Sequence, residues 1–151
     1  RWVAPENLHL SLRFIGEVDE GTAEDIDAAL GQIFAAREEV TLAGVDCFEK
    51  RGRAHTLWAG AEATAPLLKL QARVEAQVRR AGLPPEGRKF TPHVTLARMK
   101  RLPVEQIAPY LADHGGFQAA PFEAGEFLLY RSHLGHAAAN YETLARYPLN
   151  G

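Results

Sequence analysis

Cysteine is nearly absent from this chain, since Cys47 is the only one in 151 residues. One thiol cannot form an internal disulfide or a thiolate metal cluster, so this chain is neither a disulfide scaffold nor a cysteine-rich metal protein. Apolar runs near the ~18 residues of a membrane-spanning helix are also missing, as is a signal-peptide pattern. We therefore predict a cytoplasmic protein that does not enter a membrane.

An excess of one charge is missing as well. The 17 Lys and Arg residues and 19 Asp and Glu residues leave a net charge of -2, which argues against coating nucleic acid through bulk electrostatics. The single methionine is Met99 and the chain opens at Arg1, so we expect that the native chain begins upstream. With 46% hydrophobic residues the sequence can bury a sizeable core, and we expect one compact domain.

The sequence does contain one short pattern in two copies. His9-Leu10-Ser11-Leu12 and His93-Val94-Thr95-Leu96 both have the order histidine, apolar, hydroxyl, apolar. On a strand, residues two apart share a face, so each copy places an imidazole beside a hydroxyl and its aliphatic residues towards a core. One copy alone is typical of a half-buried strand histidine. Two copies in a chain with six histidines favour a functional site.

Hydrophobic periodicity predicts a mixed order of strands and helices. The predicted strands are Leu8 to Phe14, Val40 to Phe48, His55 to Ala59, the strand of the second motif, Phe122 to Tyr130 and Tyr141 to Tyr147. The predicted helices are one capped by Thr22 with Ile26, Leu30, Ile33 and Phe34 in the core, one over Pro66 to Arg80, and a short one over Val104 to Ala112. Glu49 to Arg53 predicts a framework hairpin with a wide loop.

This order predicts an α+β fold with mostly antiparallel sheets. The second half roughly repeats the first, and no linker rich in Pro, Gly or Ser separates them. We expect two pseudo-symmetric lobes with outer helices flanking a central cleft, and one motif strand contributed by each lobe.

Two imidazoles that face one substrate suit the hydrolysis of a phosphodiester. One neutral ring can remove a proton from attacking water while a charged ring protonates the departing alkoxide. Ser11 and Thr95 can donate to the nonbridging phosphate oxygens. Basic side chains lie near both motifs in the sequence, and we expect at least one to contact phosphate: Arg13, Arg88, Lys89, Arg98, Lys100 and Arg101.

Other chemistries fit the sequence less well. A hydrolytic metal site usually adds carboxylates or further histidines at ligand spacing, and neither motif has them. His133 and His136 are three apart but lack a third ligand nearby. Ser11 lacks the Gly-x-Ser-x-Gly turn of a serine nucleophile, and His55 and His114 are not favoured as catalysts. The sequence thus predicts no metal.

Several segments together resemble a known family. They are Pro5-Glu6-Asn7-Leu8-His9-Leu10-Ser11-Leu12-Arg13-Phe14-Ile15-Gly16-Glu17, Leu57-Trp58-Ala59-Gly60, Phe90-Thr91-Pro92-His93-Val94-Thr95-Leu96-Ala97-Arg98, Leu129-Tyr130-Arg131-Ser132 and Tyr141-Glu142-Thr143-Leu144. They resemble the 2H phosphoesterases, and among these the bacterial RNA 2′,3′-cyclic phosphodiesterases, also called 2′-5′ RNA ligases. Because the segments span nearly the whole chain, this resemblance is far more specific than either tetrapeptide.

The resemblance implies a bilobal domain over residues 1–151 that opens a 2′,3′-cyclic phosphate to a 2′-phosphomonoester without a metal or cofactor. It implies RNA ends or small nucleotides as substrates of a monomeric enzyme. By carry-over, His93 is the base for water and His9 the acid for the leaving O3′, although the reverse assignment stays open. The implied ligands are Ser11, Thr95 and Arg98 for phosphate and Phe14 for the nucleobase.

Phe14 and Arg98 each stand five residues after a motif histidine. In a regular strand this odd offset points to the opposite face, so a bulge or a strand end must intervene. Gly16 favours a strand end after Phe14. The alternative for Phe14 is an ordinary core position. Arg98 has no such alternative, because arginine seldom lies unpaired in a core. Ser11 replaces the usual threonine but keeps the hydroxyl donor.

The resemblance also leaves points open. Family members usually begin with another strand and helix ahead of Arg1, so we expect a truncated chain with reduced stability or with pairing between chains. One alternative function is 2′-5′ RNA ligation or cleavage by the same two histidines. The other is an RNA-end binding module without turnover.

Overall fold

The computed structural model describes residues 1–134 and 139–150. The helices are α1 Glu20–Leu30, α2 Ala65–Arg80 and α3 Val104–His114, and a 3-10 turn covers Pro5–Asn7. The strands are β1 Glu38–Val40, β2 Leu42–Lys50, β3 Arg53–Ala61, β4 His93–Pro103, β5 Phe122–Ala124, β6 Glu126–Leu134 and β7 Ala139–Pro148. The sheets are β1-β5, β2-β3-β4 and β6-β7, and the last two are antiparallel. The predicted α+β class with antiparallel sheets is confirmed.

The chain divides into two compact units. The first consists of Arg1–Ser11, Val40–Glu62 and Thr91–Phe122, and the second of Leu12–Glu39, Ala63–Phe90 and Glu123–Gly151. Both motif histidines therefore belong to the first unit, so the prediction of one motif strand per lobe is wrong. The physical reason is backbone pairing, because the first residues of the chain bond to the strand that carries the second motif.

The first unit is built on the β2-β3-β4 sheet. On the other edge of β4, the chain's first residues add antiparallel bridges between Trp2 and Ala97 and between Leu10 and Val94. Helix α3 contacts all three strands of the sheet. The hydrophobic core of the first unit includes Ala54, Leu57, Ala59, Val94, Ala97 and Ile107. The second motif thus begins a central strand of this unit.

The predicted strand over Leu8 to Phe14 is wrong apart from the single bridge at Leu10. The 3-10 turn ends only one residue before Leu8, and Gly16 has a positive φ of 85°. The segment from Leu8 to Phe14 therefore makes one bridge and no extended ladder of hydrogen bonds. A regular strand needs such a ladder.

The hairpin between β2 and β3 is tighter than predicted. Lys50 pairs with Arg53, and only Arg51 and Gly52 form the turn. Both have positive φ, 54° and 74°, which is the signature of a two-residue type I′ turn. The predicted wide loop is therefore wrong, whereas the predicted strand pair is confirmed.

The second unit packs α1 and α2 with the β6-β7 hairpin around one core. The buried core residues are Ile26, Leu30, Leu70, Val74, Val78, Phe127, Leu129, Tyr147 and Leu149. The periodicity that predicted α2 is confirmed, since the apolar side chains on its predicted stripe are buried. The predicted strand over Phe122 to Tyr130 is interrupted at Gly125 and becomes β5 and β6.

The predicted cap and end of α1 need correction. The carboxylate of Asp19 accepts from the Thr22 backbone N–H at 2.7 Å, so Asp19 and not Thr22 is the N-cap. This hydrogen bond lowers the pKa of Asp19. The helix ends at Leu30, and Phe34 beyond it is 82% exposed rather than buried. Ile33 packs at the edge of the core, as predicted.

The third helix, α3, agrees with its prediction and continues to His114. None of the helices in the described ranges is both long and apolar enough to cross a membrane.

Candidate active site

A single antiparallel bridge aligns the two motifs. Leu10 in the first motif lies opposite Val94 in the second. In an antiparallel pair, the residues that flank one partner lie opposite those that flank the other. In a regular antiparallel pair side chains alternate, so this register predicts His9 opposite Thr95 and Ser11 opposite His93, with all four side chains on the face away from Leu10 and Val94.

Both motif histidines make the same backbone contact. The Nδ1 atom of His9 lies 2.7 Å from the carbonyl oxygen of Asn7, and the Nδ1 atom of His93 lies 2.6 Å from that of Thr91. A carbonyl oxygen only accepts, so Nδ1 must carry the hydrogen in both rings. The other nitrogen of each ring is Nε2, which can act as a base when the imidazole is neutral and as an acid when it is charged.

Aromatic side chains from the hairpin pack against His93. The Phe48 ring meets the imidazole edge-on with 5.0 Å between centroids, and the Trp58 ring lies 5.7 Å away. Phe48 and Trp58 also contact each other at 5.2 Å. The hairpin was expected to be framework, and neither residue was predicted to contact a motif histidine. An aromatic residue on each of two predicted neighbouring strands was the available signal.

A bulge brings Arg98 to the motif face. Trp58 pairs with Thr95 and Thr56 pairs with Arg98, so two steps along β3 match three along β4. Thr56 and Trp58 share a face because they are two apart, and so do their partners. The bulge predicted from the odd offset is confirmed. Arg98 is exposed, and the described residues place no carboxylate within ion-pair distance of its guanidinium group.

Gly60 allows β2 and β3 to approach closely beside the site. It pairs with His93 in the β3-β4 register. A Cβ atom at this position would lie only 2.7 Å from the Ala43 carbonyl oxygen, which is closer than real Cβ contacts. Glycine is therefore required here by the space between two backbones, a requirement that the sequence alone does not reveal.

Two predicted site residues after the first motif lie in the second unit. Phe14 is 72% exposed, so the alternative of a core position is wrong. Arg13 is engaged within its own unit: its Nε donates to Glu75 at 2.9 Å, and its Nη atoms donate to the carbonyl oxygens of Phe14 and Pro84. Its side chain is only 7% exposed, so Arg13 is a structural residue and not a phosphate ligand.

The remaining histidines have other contacts. His55 Nδ1 lies 2.9 Å from the Thr56 hydroxyl, and His133 Nε2 lies 2.8 Å from a Glu142 carboxylate oxygen. His136, the other half of the spacing considered for a metal, lies outside the described residues. Over the ranges that the structure describes, no three His, Cys, Asp or Glu side chains are arranged to hold a metal ion.

Cys47 in β2 is not a suitable nucleophile. Burial, followed by the charges of Asp46 and Glu49, raises the pKa of its thiol. The thiolate fraction at neutral pH is therefore small, and nucleophilic attack requires the thiolate.

Comparisons with known proteins agree on one family. The family model described as the 2′-5′ RNA ligase superfamily matches residues 2–136. An Aeropyrum pernix protein named RNA 2′,3′-cyclic phosphodiesterase is 34% identical over 94% of this chain and 82% of its own length. A Geobacillus stearothermophilus protein of the same name is 30% identical over 99% of this chain, which covers 48% of that protein.

Solved structures share the fold. The crystal structure of Escherichia coli LigT complexed with 3′-AMP has a TM-score of 0.79 and 28% identity, over 100% of this chain and 82% of that one. A Thermus thermophilus protein has a TM-score of 0.81 and 26% identity over the same shares.

Proposed function

Because the chain belongs to the 2′-5′ RNA ligase superfamily, we propose that it is an RNA 2′,3′-cyclic phosphodiesterase that uses His9 and His93 as its acid and base. The names of relatives at 24% to 34% identity support this activity. The observation that carries the proposal is the Leu10–Val94 bridge, which pairs the first motif with the second. The matching Nδ1 contacts give both rings the same tautomer, in which Nε2 is the nitrogen that can exchange a proton with the substrate.

The proposed reaction transfers one proton at each imidazole. Nε2 of His93 takes a proton from water as the water oxygen bonds to phosphorus. The bond from phosphorus to O3′ breaks, and Nε2 of His9 gives its proton to O3′. The product is a 2′-phosphomonoester, and no metal takes part in these steps. The two rings have equivalent backbone contacts, so the reverse assignment of acid and base remains the alternative.

The other site residues act on charge and orientation. Ser11 and Thr95 donate to the nonbridging oxygens, where negative charge concentrates in the transition state. Arg98 shares the face of Thr95 and adds a fixed positive charge. Phe14 is exposed in the second unit and is assigned to the nucleobase, since an exposed aromatic ring is available for stacking.

The test is hydrolysis of an RNA oligonucleotide with a 2′,3′-cyclic phosphate end in excess EDTA. We expect a 2′-phosphate product from the parent protein. His9→Ala and His93→Ala are each expected to lower kcat by about 10²-fold to 10⁴-fold, the usual effect of losing a general acid or base. His133→Ala is the matched control because its ring contacts Glu142 in the second unit, and it should retain parental activity.

The outcomes separate the alternatives. Turnover that EDTA abolishes, or equal activity of the parent and both variants, would reject the two-histidine mechanism. A product joined through a 2′-5′ linkage when a 5′-hydroxyl RNA is added would favour the ligase reaction. Tight binding of the cyclic-phosphate RNA without turnover would indicate a binding module. The cytoplasmic location, the monomeric state and the single bilobal domain stay predictions.

A further inference from the structure

Three arginines line a cavity at the end of the first unit's sheet that lies far from His93. Arg51 and Arg53 belong to the β2-β3 hairpin and Arg101 to β4, and together they line a space of about 470 Å³. The Gly52 carbonyl oxygen accepts from Val104 N–H at 3.0 Å, which fixes the hairpin turn against the end of β4.

Two of these arginines have a backbone conformation that favours other residues. Arg51 and Arg101 have φ values of 54° and 48°, in the left-handed region, and are the only described non-glycine residues with positive φ. Asn, Asp or Gly fit such positions better, especially at the first turn position of a type I′ hairpin. A long cationic side chain at both positions of one cavity indicates a use for the charge.

The charge of the cavity is not neutralised locally. In residues 1–134 and 139–150, none of the three guanidinium groups forms an ion pair with a carboxylate. Lys50 and Lys100 are the chain neighbours of Arg51 and Arg101 and add to the positive charge. This concentration contrasts with the net charge of -2 for the whole chain.

The cavity and the candidate active site lie on the same two strands. Gly60 pairs with His93, and Arg53 pairs with Pro103 at the other end. At about 3.3 Å per residue, the strand from Gly60 to Arg53 covers roughly 20 Å. Arg98 lies between the two sites along β4. Strand β4 therefore carries Arg98 and Lys100 between the candidate active site and Arg101.

We propose that Arg51, Arg53 and Arg101 bind backbone phosphates of an RNA strand whose cyclic-phosphate end occupies the site of His9 and His93. This inference rests on the proposed function and extends it, because it makes an oligonucleotide, rather than a mononucleotide, the preferred substrate. Arginine guanidinium groups bind phosphate oxygens through two parallel hydrogen bonds, so three of them can hold a strand without reading its sequence.

The test measures binding and turnover separately. Binding is followed by fluorescence anisotropy with a labelled RNA of about eight nucleotides that ends in a 2′-phosphate, a length typical of single-strand sites. Turnover is measured with a nucleoside 2′,3′-cyclic phosphate, which is too short to reach the cavity. The test variant combines Arg51→Gln, Arg53→Gln and Arg101→Gln. The control combines Lys69→Gln, Arg79→Gln and Arg80→Gln on α2, which removes the same charge elsewhere.

The expected result is specific to the cavity. The test variant should bind the RNA about tenfold or more weakly, and its slope of log affinity against log salt should fall by about 2, since each single-strand phosphate contact contributes ~0.7. The control should keep nearly parental binding, and both variants should hydrolyse the nucleoside cyclic phosphate at the parental rate. Circular dichroism confirms that both are folded.

Three binding outcomes would overturn the inference. They are equal weakening by both triple variants, parental binding by the test variant, and no RNA binding by the parent. A loss of nucleoside turnover in the test variant alone would also reject it, because the cavity would then serve the reaction centre. If no protein hydrolyses the nucleoside cyclic phosphate, the proposed function fails, whereas the binding data still decide whether the arginines hold RNA.

Discussion

Replacement of Gly60 by alanine tests whether the spacing between β2 and β3 positions the second motif. The added Cβ would lie 2.7 Å from the Ala43 carbonyl oxygen, whereas real Cβ atoms essentially never approach closer than 3.0 Å. Backbone lies on both sides of this contact, so no side-chain rotation can relieve it. The strands must separate by several tenths of an ångström, directly beside the residue that pairs with His93.

The size of the effect follows from this clash. Overpacking of this kind lowers the free energy of unfolding by about 1–3 kcal/mol. For a chain of this length each kcal/mol lowers Tm by about 2–4 °C, so the expected decrease is about 2–12 °C. A displacement of about 1 Å at a catalytic group can lower the rate 10²-fold, so a shift of half that size should lower kcat about tenfold.

Thermal unfolding and cyclic-phosphate hydrolysis measure the two effects. Gly116→Ala is the matched control in the same unit, because a Cβ there meets no atom within 4 Å and its φ is not positive. It should unfold and react like the parent. If Gly60→Ala had the same Tm and kcat as Gly116→Ala, the close approach of β2 and β3 would not position the second motif.

Two further predictions concern stability. The Tyr147 hydroxyl donates to a carboxylate oxygen of Asp27 at 2.6 Å. Burial, followed by this contact, raises the pKa of Tyr147. The contribution of Tyr147 to the free energy of unfolding is therefore complete below the ordinary tyrosine pKa of about 10 and is lost as the pH rises further. Urea unfolding at neutral pH should show that Tyr147→Phe lowers the free energy of unfolding by about 1 kcal/mol. This difference between the variant and the parent should shrink near pH 11. A difference that stays constant with pH would contradict the prediction. Arg51→Asn should instead raise that free energy by about 0.5–1 kcal/mol, because Asn-Gly suits the type I′ turn, while weakening RNA binding. A lower Tm for Arg51→Asn would show that the arginine backbone is not strained.

Local patterns predicted the local elements well. The apolar spacing of Leu67, Leu70, Val74 and Val78 fixed α2 almost to the residue, because a helix interior depends on interactions within one segment. The start of α1 was harder to predict. Asp19 and Thr22 are both good caps, and only the observed hydrogen bond distinguishes them.

Features that depend on pairing between distant segments were harder to predict from the sequence. The motif at His9 has the local pattern of a strand. Whether it forms a ladder of hydrogen bonds depends on where this segment meets β4, and no local pattern contains that information. The parity of residues along a strand still predicted a bulge or a strand end before Arg98, and the register shows a bulge. Phe48 and Trp58 were missed since their approach to His93 depends on the register of three strands.

The backbone contacts of the two imidazoles have a consequence for mutational tolerance. In a serine-protease triad, a carboxylate holds the imidazole, and its replacement by an amide lowers kcat about 10⁴-fold. Here the carbonyl oxygens of Asn7 and Thr91 hold the rings, and every amino acid provides that atom. Substitution at either position would leave the acceptor in place. The orientation of both rings is thus buffered against point mutation, so changes in activity should concentrate at the imidazoles and at their substrate-facing neighbours.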